Sequence, residues 1–178
     1  MRDNQIYINA EERDLSTKKV SIYGVLIALA LILSYVESQI PAFVAVPGMK
    51  LGLTNIVVLV TLYILDDKSA MGINLLRIVV VSILFGTAMS FAFSITGGML
   101  STIVMILLKK TNRFKIIGVS AAGGITHNIG QILAAMILMN TKAIAWYLPV
   151  LWISGIFSGV VIGIIGGLVC SRIEKIEL

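Results

Sequence analysis

The feature that most constrains this chain is where its charges are missing. No charged side chain stands between Lys19 and Glu37, Lys50 and Asp66, Arg77 and Lys109, Lys115 and Lys142, or Lys142 and Arg172. A bilayer presents about 30 Å of hydrocarbon, which a helix crosses with roughly 17–25 apolar residues. Each run is therefore read as membrane-spanning, and the charges mark the helix ends. Residues 78–108 are too many for one upright helix, and Gly86, Gly97 and Gly98 offer places to break it in two. The reading is an all-α integral membrane bundle of about six helices, near 20–37, 51–66, 70–86, 90–109, 115–140 and 144–171, the last starting close to Pro149. The polar tails are 1–19, expected to be mobile, and 172–178. The apolar content of 58% and mean hydropathy of +1.00 exceed the roughly 45–50% apolar fraction of soluble domains.

Charge asymmetry sets the orientation. With the N-terminus in the cytoplasm, Lys50 and Lys142 are the only cations facing out and Arg77 falls within a span. The rest of the fourteen Lys and Arg gather on the inner side, as the positive-inside tendency requires of an even number of spans. Both termini are then cytoplasmic, in a multi-pass protein of the cell membrane. Cations facing anionic headgroups account for the pI of about 9.5 without nucleic acid. No small-residue cleavage pattern follows a short apolar segment, so the first helix reads as an anchor. One cysteine, Cys170, and one histidine, His127, exclude an internal disulfide and a cysteine–histidine zinc site.

In lipid, helices associate through close packing of small residues. Gly155, Gly159, Gly163 and Gly167 recur every fourth residue on the last helix, and Gly118, Ala122, Thr126, Gly130 and Ala134 do so on the fifth. Helix 1 carries Gly24 and Ala28 on one side and Ala30, Ser34 and Ser38 on another, so one face is available to a partner.

Polar side chains at bilayer depth are costly and therefore mark function. Glu37, the Pro41–Lys50 stretch and Asn55 share the outer side. Pro47 and Gly48 resist helix, which puts Lys50 at the N-terminus of helix 2. There it either draws an anionic group with the helix dipole or snorkels to headgroups. On helix 5, His127 and Gln131 share a face and Asn128 lies about 100° round, with Gly123 and Gly124 one turn away leaving space. This placement resembles a transporter's ligand site; a neutral imidazole holding a neighbouring helix is the alternative to a proton carrier. Arg77, with Asn74 nearby, needs a partner: a ligand anion, helix-end carbonyls, or Asp66 or Asp67. The two aspartates themselves suit the N-terminus of helix 3.

Pro47-Gly48-Met49-Lys50-Leu51-Gly52-Leu53-Thr54-Asn55, Asn74-Leu75-Leu76-Arg77, Ser94-Ile95-Thr96-Gly97-Gly98 with Ser101, and Gly118-Val119-Ser120 leading to His127-Asn128-Ile129-Gly130-Gln131 resemble the Gx transporter family. That family is also labelled heptaprenyl diphosphate synthase component I. In size and six-helix layout it is similar to the substrate-binding S components of energy-coupling factor transporters. The resemblance implies a substrate-specific subunit working with a transmembrane coupling protein and paired ATPases. The chain has no G-x-x-x-x-G-K-[ST] loop, so ATP would bind the partners and this chain would hold no cofactor. Prenyl elongation needs two aspartate-rich clusters for magnesium and diphosphate, and the one pair Asp66-Asp67 makes catalysis by this chain alone improbable. The leading expectation is a binding subunit for a small anionic or amphipathic solute. Its contacts would be Lys50, Asn55, Arg77, His127, Asn128 and Gln131, with Glu37, Gly48 and Asn74 contributing. An accessory subunit of polyprenyl diphosphate synthesis and a self-sufficient ion-coupled carrier are the alternatives.

Overall fold

The computed structural model describes residues 2–39 and 52–175. They form α1 (Arg2–Gln39), α2 (Asn55–Ile64), α3 (Asp67–Phe85), α4 (Ala88–Lys110), α5 (Ile116–Leu138), a short 3-10 segment (Lys142–Tyr147) and α6 (Leu148–Glu174). The expected all-α membrane bundle is present, with five helices long and apolar enough to cross a bilayer. The polar N-terminal segment continues α1 back to Arg2, and the apolar part of that helix starts at Lys19.

The second helix differs from expectation. It has ten residues, about 15 Å at 1.5 Å per residue, or half a hydrocarbon core. Gly52 sets its late start: φ of +82° turns the chain there, and the Asn55 amide donates to the Gly52 carbonyl at 2.9 Å.

The long run 78–108 does divide, but only at Gly86. Thr87 caps α4 by accepting from the Ser90 amide at 3.1 Å. Gly97 and Gly98 lie inside α4, where they admit neighbouring helices and do not turn the chain. Asn112 and Asn140 adopt positive φ just beyond α4 and α5, a conformation asparagine tolerates at helix ends. Pro149 sits in the first turn of α6, where its missing amide costs nothing.

Helix α5 is the middle of the bundle, packed most extensively against α4 and α6. The register of the α5–α6 seam is not the stripe expected on α5. A Cβ on Gly155 would meet the Gly124 carbonyl oxygen at 2.8 Å, one on Gly159 the Ala121 Cα at 2.7 Å, and one on Gly163 the Ile117 Cα at 2.8 Å. The stripe on α6 therefore engages Ile117, Ala121 and Gly124. Gly130 of the expected α5 stripe turns instead to α4, where a Cβ would meet the Thr96 oxygen at 2.7 Å. Helix 5 is gripped on both sides by small residues. Val25, Ile32, Ile153, Phe157 and Leu168 are exposed, as lipid-facing side chains are.

Cations and acids meet at one end. Lys110 pairs with Asp67 at 2.9 Å, Lys109 donates to the Leu62 carbonyl, and Tyr23 bonds Ser69. Asp66 caps α3, accepting from the Ser69 amide at 2.8 Å and the Ser69 hydroxyl at 2.9 Å. The amide bond to Ser69 is the main reason its carboxyl titrates below the usual aspartate range. A folded-state pKa below the unfolded one gives stability present above about pH 4 and lost as pH falls through the folded value. We expect the unfolding midpoint of Asp66→Asn to lose less than that of the unmodified chain between pH 5 and pH 3. Parallel midpoints in both would refute the cap.

Candidate functional site

Among the described residues fifteen polar or charged side chains are buried, and several of them meet along α4. Its period explains this: Ser94, Gly98, Ser101 and Thr102 recur at helical spacing and are all buried. Ser94, Gly98 and Ser101 stand in the motifs that carry the family resemblance, which assign the row no role, although its spacing is visible in the sequence.

On the α3 side of α4, Arg77 Nε and Nη2 donate to Asn74 Oδ1 at 3.0 and 2.8 Å. Asn74 Nδ2 in turn donates to the Gly98 carbonyl at 3.0 Å and to Thr102 Oγ1 at 2.7 Å. The partner of Arg77 is thus an amide one turn back on its own helix. Asp66 caps α3 and Asp67 pairs with lysines, so neither is that partner.

On the α5 side, Gly97 lets His127 and Gln131 come close. A Cβ there would stand 2.8 Å from the His127 carbonyl oxygen and 3.0 Å from Gln131 Cγ. Gln131 Nε2 lies 3.1 Å from His127 Nε2. A Cβ on Gly52 would lie 3.1 Å from Asn55 Nδ2 and 3.3 Å from His127 Cδ2, so α2 begins beside the imidazole. Asn55 Nδ2 donates to Ser101 Oγ at 3.4 Å.

Glu37 closes the group from α1, on a buried stripe with Leu26, Ala30 and Ser34. Its Oε1 accepts from the Gly52 amide and, at 3.0 Å, from the Leu53 amide. These amides lie in the turn that leads into α2, so the protein itself places a carboxylate near the helix start where one of the two readings of Lys50 puts a ligand's anionic group. Its Oε2 has no hydrogen-bond partner among the described residues, nor do Asn55 Oδ1 and the hydroxyls of Ser34, Thr54 and Ser94.

The structure thus brings Glu37, Asn55, His127 and Gln131 together around Gly52 and Gly97, with Asn74 and Arg77 across α4 at Gly98. Asn128 lies apart, donating to the Leu151 carbonyl of α6 at 2.7 Å, a helix-joining bond. Lys50 and Gly48 lie outside the described residues. Gly123 and Gly124 leave no space: a Cβ on the first would meet Met105 Sδ at 2.7 Å and on the second the Gly155 oxygen at 2.2 Å.

The sequence profile of heptaprenyl diphosphate synthase component I matches residues 26–169. The chain belongs to that family. The matched stretch runs from within α1 to near the end of α6, so it contains Glu37, Asn55, Asn74, Arg77, His127 and Gln131. It also agrees with the resemblance drawn from the motifs. No curated protein and no solved structure matches the chain.

Proposed function

We propose that this member of the family is the substrate-binding membrane subunit of an uptake system. It resides in the cytoplasmic membrane with both termini inside, takes a small amphipathic solute, and is energised by ATPases reached through a membrane coupling protein. The observation that carries the reading is a buried polar cluster, contributed by α1, α2, α4 and α5, with acceptor oxygens unengaged among the described residues. Leaving a buried polar atom unpaired costs about 1–3 kcal/mol, which a bound solute recovers. The side of α1 bearing Gly24 and Ala28 is exposed and offers a face to a coupling partner. The test is uptake and solute affinity in cells supplying the partners. Asn55→Ala and His127→Ala are expected to weaken affinity at least about tenfold, one hydrogen bond to a charged group being worth about 1.5–3 kcal/mol. Full uptake by both variants would defeat the assignment.

The family's description favours a second reading, a membrane accessory component of polyprenyl diphosphate synthesis. Catalysis would then belong to the partner, because Asp66 is committed to capping α3 and Asp67 to Lys110. Mass spectrometry of proteins that co-purify in gentle detergent separates the two. ATPases with a coupling protein support uptake, whereas a soluble aspartate-rich synthase supports the accessory role.

A further inference from the structure

We infer that the buried end of the solute is a hydrogen-bond donor bearing positive charge, a protonated amine, seated on Glu37 Oε2 and Asn55 Oδ1; this rests on the reading of the chain as a binding subunit. Several nitrogen donors of the cluster already have oxygens to serve. Asn74 Nδ2 serves Gly98 and Thr102, Arg77 Nε and Nη2 serve Asn74, Asn55 Nδ2 serves Ser101, and Asn128 Nδ2 serves Leu151. The Gly52 and Leu53 amides, in the turn that leads into α2, are held by Glu37 Oε1, and the first amides of α2 bond back to the carbonyls of Gly52, Leu53 and Thr54.

What remains is the accepting side. Glu37 is 4% exposed and Asn55 3%, and each keeps one oxygen without a partner among the described residues. Both residues flank Gly52. The hydroxyls of Ser34, one turn before Glu37, and Thr54, beside Asn55, are likewise unengaged there and accept as readily as they donate. Arg77 lies close enough to Glu37 to interact with it electrostatically, but its Nε and Nη2 bond Asn74, and Oε2 has no hydrogen-bond partner among the described residues. A carboxylate ligand brought to this spot would meet like charge in a medium where such repulsion is poorly screened. An ammonium would gain charge-assisted bonds.

The experiment uses the full chain purified in detergent, with two probes alike in size: 2-phenylethylamine and 3-phenylpropionate at pH 7, in choline chloride buffer. The amine at saturation is expected to raise the unfolding midpoint by about 5 °C and the carboxylate to leave it unchanged. Glu37→Gln keeps an oxygen for the two amides, and its affinity for the amine should fall at least about tenfold. Protection by phenylpropionate alone would overturn the amine while leaving a binding subunit in place. Protection by neither probe would overturn the amine assignment, and the uptake assay of Asn55→Ala and His127→Ala then decides the broader reading separately. Equal protection by sodium chloride alone would assign the oxygens to an alkali cation and overturn it too. An undiminished amine effect in Glu37→Gln would do the same. Because the paired probes act on the unmodified chain, a variant that failed to fold would not shield the claim.

Discussion

Replacing Asn74 by Leu should destabilise the protein more than removing the charge it supports. Asn74 accepts two bonds from Arg77 and gives two to α4. Without it, a guanidinium 3% exposed is stranded within the span. Each hydrogen bond to a charged group is worth about 1.5–3 kcal/mol, so losing both costs about 3–6 kcal/mol, or roughly 10 °C in unfolding midpoint for a chain of this size. Arg77→Met removes the charge together with its own donors and leaves Asn74 its bonds to Gly98 and Thr102, so its cost should stay near 1–2 kcal/mol, that of leaving the Asn74 oxygen unpaired. Combining the two changes should recover stability relative to Asn74→Leu alone. If the single Asn74 variant matched the unmodified chain in denaturant midpoint, the network would have no energetic weight.

The second large effect is steric. In Gly124→Ala the new methyl would stand 2.2 Å from the Gly155 carbonyl oxygen and 3.3 Å from the Gly159 Cα. Those atoms belong to helix backbone, so α6 must back away as a body, taking with it Leu151, whose carbonyl receives Asn128. Overpacking of this kind costs about 1–3 kcal/mol and occasionally more. We expect the upper end, about 3 kcal/mol, because a hydrogen bond is strained as well. Gly72→Ala is the contrast. Nothing lies within 4 Å of a Cβ there, and exchanging glycine for alanine inside a helix gains about 0.5–1 kcal/mol. Opposite signs for these two substitutions, read in the same denaturant series, separate backbone contact from helix propensity.

Much of the fold was legible because lipid punishes charge without regard to tertiary detail. The limits of α3, α4 and α5 fall within about three residues of those drawn from charges and glycines, near the usual ambiguity of helix ends. What escaped depended on neighbours distant in sequence. Residues 51–54 are as apolar as a helix start needs to be, yet Gly52 turns the chain because Glu37 waits to receive its amide and that of Leu53. Gly97 and Gly98 look like breakers in isolation and prove to be contact points, since His127 and Asn74 come up against them from two other helices.

The polar cluster was legible in type but only partly in grouping. Glu37 and Asn55 share the outer depth in the sequence, and the structure brings His127, from another helix, beside the start of α2. Rotation about each helix, fixed by packing, was not available from one chain, and so Asn128 was grouped with His127 although it faces α6. Ser94 and Ser101 stand in the motifs of the family resemblance, but hydroxyls within a span cost too little to mark them or Thr102 as part of a site, while their spacing on α4 carries the information.

The ten-residue α2 ties two distant stretches of sequence to a shared fate. The carboxylate of Glu37 receives the amides of Gly52 and Leu53, and the carbonyls of those two residues in turn receive the Asn55 and Ile56 amides that begin the helix. Thr54 makes no side-chain bond that could take over the task. The acid at position 37 and the glycine turn at position 52 therefore act as one unit: removing the acid leaves the two amides of the turn without their acceptor and loosens the start of α2 together with its tie to α1.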